Sequence, residues 1–171
     1  PAPPMSVVTA PDAEGLYGPL STLVVQCAEA AIKARGRFTV ALSGGSLPKV
    51  LGAALAAAVA GGTDLQLAKW HVVYADERVV PLDHDDSNHR ECAAQLYDAE
   101  WAAALPRAQI LTIDEDAAAA GDAEAAAADY AVKLAALCAG DAEGKEGGGA
   151  GGDGSDSDDS LKPYESSLSY L

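Results

Sequence analysis

The run Phe38-Thr39-Val40-Ala41-Leu42 leads directly into Ser43-Gly44-Gly45-Ser46 and then into a helical stretch from about Pro48 to Ala60, stopped by Gly61-Gly62. That order constrains the fold more than anything else in the chain. Five mostly apolar residues without polar alternation read as a strand covered on both faces. A strand that leaves through a glycine turn into a helix is the first half of a βαβ unit, so its partner strand must run parallel to it. His71 to Ala75 is the natural partner, and Gln109 to Ile113 a third strand. Met5 to Ala10 forms a short first strand at most.

Helices separate these runs. Pro19 to Arg35 places Leu20, Leu23, Val24, Cys27 and Ala31 on one face, with Pro19 in the first turn and Gly36 at the stop. Asn88 with Glu91 three residues later resembles a capping box opening a helix to about Ala99. Asp122 to Ala139 forms a further helix ended by Gly140. The expectation is an α/β fold built on a doubly wound parallel sheet of modified Rossmann-like type, with no internal repeat. Half of such a sheet leaves an edge strand and an apolar face that something must cover. A protein partner or a missing chain segment is therefore expected to complete it.

At Gly140 the composition changes. Residues 140–160 hold seven acidic residues and one lysine among Gly, Ser and Ala, a stretch with nothing to bury that repels itself. The expected organisation is an α/β domain over 1–139, a disordered acidic Gly-rich linker over 140–160 and a short partly apolar segment over 161–171. The whole chain of 171 residues carries a formal charge of −15, which disfavours partners built on phosphate backbones or anionic membranes. No nucleic acid and no membrane are expected as partners, since no run of about 18 apolar residues exists either. Cys27, Cys92 and Cys138 are too widely spaced for a disulfide framework or a paired-thiol zinc site and read as reduced thiols.

Ligands of open parallel sheets bind beyond the carboxyl ends of the strands. The Ser43, Gly44, Gly45, Ser46 bend offers close backbone approach, hydroxyl donors and the N–H groups of a helix start, which favour an anion such as phosphate. It is neither a P-loop nor a dinucleotide fingerprint. The second exit, Asp76-Glu77-Arg78-Val79-Val80-Pro81-Leu82-Asp83-His84-Asp85-Asp86-Ser87-Asn88, combines carboxylates able to hold a hydroxyl or move a proton with a guanidinium suited to a two-pronged phosphate contact.

Together with Ala41-Leu42-Ser43-Gly44-Gly45-Ser46-Leu47-Pro48-Lys49, that second stretch resembles the 6-phosphogluconolactonase family, within the group that includes glucosamine-6-phosphate deaminases. The resemblance covers about residues 1–139, the N-terminal half only. Arg78 points to the lactonase branch, because the deaminases carry an aromatic residue there. The resemblance implies hydrolysis of 6-phospho-D-glucono-1,5-lactone to 6-phosphogluconate in the oxidative pentose phosphate pathway, with a phosphorylated sugar lactone as partner and no metal or organic cofactor. It also implies that Ser43, Gly44, Gly45, Ser46, Asp76, Glu77 and Arg78 bind substrate, with Arg78 on the phosphate. Leu47 stands where the family often has threonine.

The family's Gly-x-Gly-x-Asp-Gly-His-x-Ala-Ser loop, whose histidine activates the attacking water, does not occur in this sequence. The catalytic base is therefore unassigned, with His71, His84 and His89 as the histidines at hand; an imidazole titrating near 6.5 suits that role. An inactive lactonase-like subunit or interaction module is the alternative function. By the same resemblance the compartment is the cytoplasm, or the plastid stroma after transit-peptide removal.

Overall fold

The computed structural model describes residues 7–143 and 169–170, with side chains described over 7–139. Helix α1 spans Tyr17–Arg35, strand β1 Phe38–Leu42, helix α2 Leu47–Ala60 and strand β2 Trp70–Tyr74. Helix α3 is the single turn Asn88–Cys92, continued by a π-helical turn over Ala93–Tyr97. Helix α4 covers Glu115–Ala120, α5 Ala123–Glu143, and the strand β3 is Ser169–Tyr170.

The sheet is parallel throughout, in the order β2-β1-β3. β1 and β2 are in register from Phe38 opposite Trp70 to Leu42 opposite Tyr74. All five β1 residues are buried, as the unbroken apolar run requires. Phe38, Val40 and Leu42 join Trp70, Val72 and Tyr74 in a core closed by Val24, Ala28 and Ala31 of α1, Leu51 and Leu55 of α2, and Leu96 and Tyr97 of the π-helical turn. Phe38 meets Trp70 edge to face at 4.8 Å, a favoured aromatic geometry. α5 is tied to the strands from another side. Its Tyr130 hydroxyl accepts from Tyr74 N at 2.6 Å, and Lys133 Nζ donates to Thr112 O at 3.0 Å.

Several expectations are corrected. Gln109 to Ile113 does not form a strand. Arg107–Gln109 is a 3-10 turn, and only Ile110 bridges to Val72. The ladder stops there because the Tyr130 hydroxyl occupies the backbone groups of Tyr74 that a longer strand would need. Leu23 is 51% exposed; the buried stripe of α1 is Val24, Ala28 and Ala31. Residues 7–10 are not a strand, and residues 1–6 lie outside the described residues. The helix expected to end at Gly140 continues to Glu143, since one glycine costs a helix only about 1 kcal/mol.

β3 covers the β1 edge that faces away from β2, pairing Ser169 with Val40 and Tyr170 with Ala41. The chain's own C-terminal segment thus protects part of the edge for which a partner was expected. The acidic stretch 144–160 and residues 161–168 and 171 lie outside the described residues.

Candidate functional site

Because β1 and β2 are parallel and in register, their exits lie side by side, and Ala75 N donates to Leu42 O at 2.8 Å to carry the ladder past the last paired residues. The two sequence motifs meet here. Ser43 Oγ donates to Asp76 Oδ1 across 33 positions of chain. Asn88 Nδ2 donates to the Asp76 carbonyl at 2.8 Å and to its Oδ2 at 3.2 Å. Gly44 lies so close to this amide that a Cβ on it would stand 2.8 Å from Asn88 Cγ, inside the distance real side chains keep. Gly45 turns the chain at φ +79, a conformation open to glycine. Ser46 precedes α2 as an exposed residue whose side chain does not cap the helix, so the first-turn N–H groups are left without a side-chain acceptor from it.

The triplet divides its labour. Asp76 is exposed, and two donors fix its carboxylate. Glu77 turns into its own loop. Its Oε1 accepts from Arg78 N at 2.8 Å and Asn88 N at 2.7 Å, and its Oε2 accepts from His89 N at 2.8 Å and Ser87 Oγ at 3.4 Å. Glu77, expected to line the cleft, borders the cavity at the strand exits, and its oxygens also close the 77–89 loop. The Arg78 side chain is exposed and has no partner among the described residues, while Arg90 pairs with Asp85 and Arg107 with Asp98. A guanidinium left without a partner among the described residues can make a two-pronged contact with an anion, locally offsetting the repulsion of a chain of charge −15.

Asn88 is the residue that sequence reading missed. The helix cap expected of it belongs to Ser87, whose Oγ accepts from Arg90 N at 3.3 Å. The usable signal was that serine and asparagine adjoin at a helix start, where one suffices as the cap.

The histidines do not converge on the bend. His71 lies on β2 and meets Gln109 Nε2 at 3.3 Å. His84 Nδ1 accepts from Asp86 N at 3.1 Å in an exposed turn. His89 faces the interior, with Nδ1 2.8 Å from the Tyr74 hydroxyl, which also lies 3.2 Å from the Tyr97 hydroxyl. None of their hydrogen bonds among the described residues reaches Ser43, Asp76 or Arg78. Burial raises both phenols far above their ordinary range and pushes the Cys92 thiol up to about 12, so this cluster is neutral at physiological pH.

Burial also lowers the His89 pKa; Arg107 adds to that, while Glu77, Asp98 and Glu115 oppose it. The unfolded chain takes up this proton near pH 6.5, before the folded one does. Within that window the unfolded state holds more protons, so His89 makes stability fall as pH falls. His89→Gln is expected to flatten the decline in urea midpoint between about pH 7 and about pH 5. An unchanged slope in the variant would show that His89 titrates equally in both states.

Beside Asp76 and Glu77 lies a cavity of about 190 Å³, walled by Tyr74, Val79, Ile113 and the α5 residues Ala126 and Tyr130. It is smaller than the roughly 300–1,000 Å³ usual for small-molecule sites, so the described residues build part of an enclosure. Among the described residues no group of three or more His, Cys, Asp or Glu is placed to hold a metal ion.

A family model described as "Glucosamine-6-phosphate isomerases/6-phosphogluconolactonase" matches residues 11–148. The chain belongs to this family. The 6-phosphogluconolactonase of Rattus norvegicus is 38% identical over 143 residues, covering 82% of this chain and 52% of the relative. A probable 6-phosphogluconolactonase of Schizosaccharomyces pombe is 44% identical over 94 residues, covering 55% of this chain and 35% of the relative. The crystal structure of the 6-phosphogluconolactonase from Leishmania guyanensis superimposes with a TM-score of 0.53 at 29% identity, covering 70% of this chain and 48% of that one. The α/β architecture expected from the sequence is that of the family. The chain spans about half the length of the rat relative and about a third of the yeast one.

Proposed function

We propose that the β1 and β2 exits form the phosphosugar-binding part of a 6-phosphogluconolactonase, a hydrolase of 6-phospho-D-glucono-1,5-lactone in the oxidative pentose phosphate pathway. The observation that carries this reading is the Ser43–Asp76 hydrogen bond, which joins the glycine bend and the acid-acid-guanidinium triplet into one site. Arg78 binds the phosphate as a two-pronged donor. The N–H groups at the start of α2 and the Ser46 hydroxyl add donors for the same anion. Asp76, held open to solvent by two donors, takes a sugar hydroxyl. Glu77 shapes the loop and does not touch the ligand.

Lactone opening needs a group that deprotonates the attacking water. The side-chain hydrogen bonds of His71, His84 and His89 among the described residues do not reach Ser43, Asp76 or Arg78, so none of the three is assigned as that base. We assign residues 1–139 as the N-terminal part of the lactonase unit, and place the protein in the cytoplasm or the plastid stroma.

Titration calorimetry with 6-phosphogluconate, the reaction product, tests the reading. Arg78→Ala removes a charge-assisted contact of about 1.5–3 kcal/mol and is expected to weaken binding roughly 10- to 100-fold, with Arg78→Lys in between. Equal affinity in wild type and Arg78→Ala would sink the phosphate assignment. A coupled lactonase assay, corrected for spontaneous lactone hydrolysis, then separates an enzyme from a binding module: binding without rate is the mark of an inactive subunit.

A further inference from the structure

Asn88 joins three parts of the site at once. Its side-chain amide donates twice to Asp76, at 2.8 Å to the backbone carbonyl and 3.2 Å to the carboxylate, while its backbone N donates to Glu77 Oε1 at 2.7 Å. The amide oxygen of Asn88 lies against Gly44, with no room for a Cβ between them. Asn88 is 5% exposed. A buried amide is costly unless its donors are used, and here both donated bonds go to one residue. The capping work that would explain an asparagine at a helix start is already performed by Ser87. The carboxylate that receives these bonds is exposed, and nothing but Ser43 and Asn88 fixes its direction among the described residues.

We propose that Asn88 is a positioning residue: it sets the direction of the Asp76 carboxylate and so presents it to the ligand without touching the ligand itself. This rests on reading the strand exits as a phosphosugar site. Fixing a side chain beforehand removes an ordering cost that binding would otherwise meet, so loss of Asn88 weakens the ligand through Asp76. The effect of Asn88 should therefore vanish when Asp76 is already gone. A residue that merely fills space would act independently of Asp76.

Two measurements test it. In a double-mutant cycle read by 6-phosphogluconate affinity, Asn88→Ala is expected to weaken binding about tenfold in the wild-type background and less than twofold in the Asp76→Ala background. Equal losses in both backgrounds overturn the proposal. Asn88→Asp keeps the shape while setting a second carboxylate against Asp76; it should weaken binding at least as much, and wild-type affinity in this variant also overturns the proposal. Without any ligand, the Hα–Hβ couplings of Asp76 by NMR should report one rotamer in wild type and averaging in Asn88→Ala or Asn88→Asp. A single unchanged rotamer in the variants overturns the proposal. Failure of the wild-type chain to bind 6-phosphogluconate overturns the phosphosugar reading instead, and the couplings still decide the role of Asn88.

Discussion

Gly52→Ala is expected to destabilise the fold by about 2–3 kcal/mol, although alanine is intrinsically the better helix former by up to about 1 kcal/mol. Gly52 lies inside α2 between the buried Leu51 and Leu55 side of the helix and the π-helical turn that follows α3. A Cβ there would collide with the carbonyl oxygen of Gln95 and stand 3.2 Å from its carbonyl carbon. That oxygen belongs to backbone, which cannot swing away as the end of a flexible side chain can. Its neighbour Leu96 is buried in the core, so moving the turn would open the packing of Leu51, Leu55 and Tyr97 as well. Urea denaturation of the variant checks the sign. A midpoint at or above wild type would mean that helix propensity outweighs the close approach.

What was legible in the sequence was whatever depends on neighbours along the chain. The β1 run, the glycine bend and α2 follow from residues 38–60 read in order, and β1 and α2 match the expected limits within a residue. β2 is displaced by one residue, Trp70–Tyr74 instead of His71 to Ala75, because Trp70 is buried against Phe38 and its indole N–H donates to Leu65 O. α4 passed unnoticed although its signals were local. Asp114 caps it by accepting from Ala117 N, Glu115 and Asp116 fill the first turn, and Gly121 ends it at φ 68. A six-residue helix has too few positions to show an apolar period, so its caps were the only clue.

The misreadings share another cause. Gln109 to Ile113 has strand composition, yet its fate was decided by Tyr130 some twenty residues later, whose hydroxyl takes the β2 edge. β3 could not be read from Ser169 and Tyr170, since its pairing with Val40 and Ala41 is set by a distant edge with unfilled hydrogen bonds. The site shows the same division. Its residue types were visible in the two motifs, but the different work of Asp76 and Glu77 was not. Adjacent carboxylates look alike in a sequence, and only the donors of the 87–89 turn distinguish the one that closes the loop from the one left open to solvent.

That distinction leads to the second large effect, in Glu77→Ala. Removing this carboxylate takes an acceptor from Arg78 N, Asn88 N, His89 N and Ser87 Oγ. Hydrogen bonds to a charged acceptor are worth about 1.5–3 kcal/mol each, and Ser87 and Asn88 are buried, where water replaces the acceptor poorly. Arg78 is exposed and readily rehydrated, so the net loss should come chiefly from Asn88 and His89, about 3 kcal/mol. The consequence for function follows from geometry. With its backbone anchor gone, Asn88 no longer holds Asp76, and ligand affinity should fall through Asp76 without any contact between Glu77 and the ligand. Glu77→Gln keeps one acceptor oxygen and replaces the other by a donor facing N–H and O–H groups, so it should recover only part of both losses. Thermal denaturation and 6-phosphogluconate titration of the pair decide the matter. Loss of affinity at unchanged stability would mean that Glu77 meets the ligand directly and does not act by closing the loop.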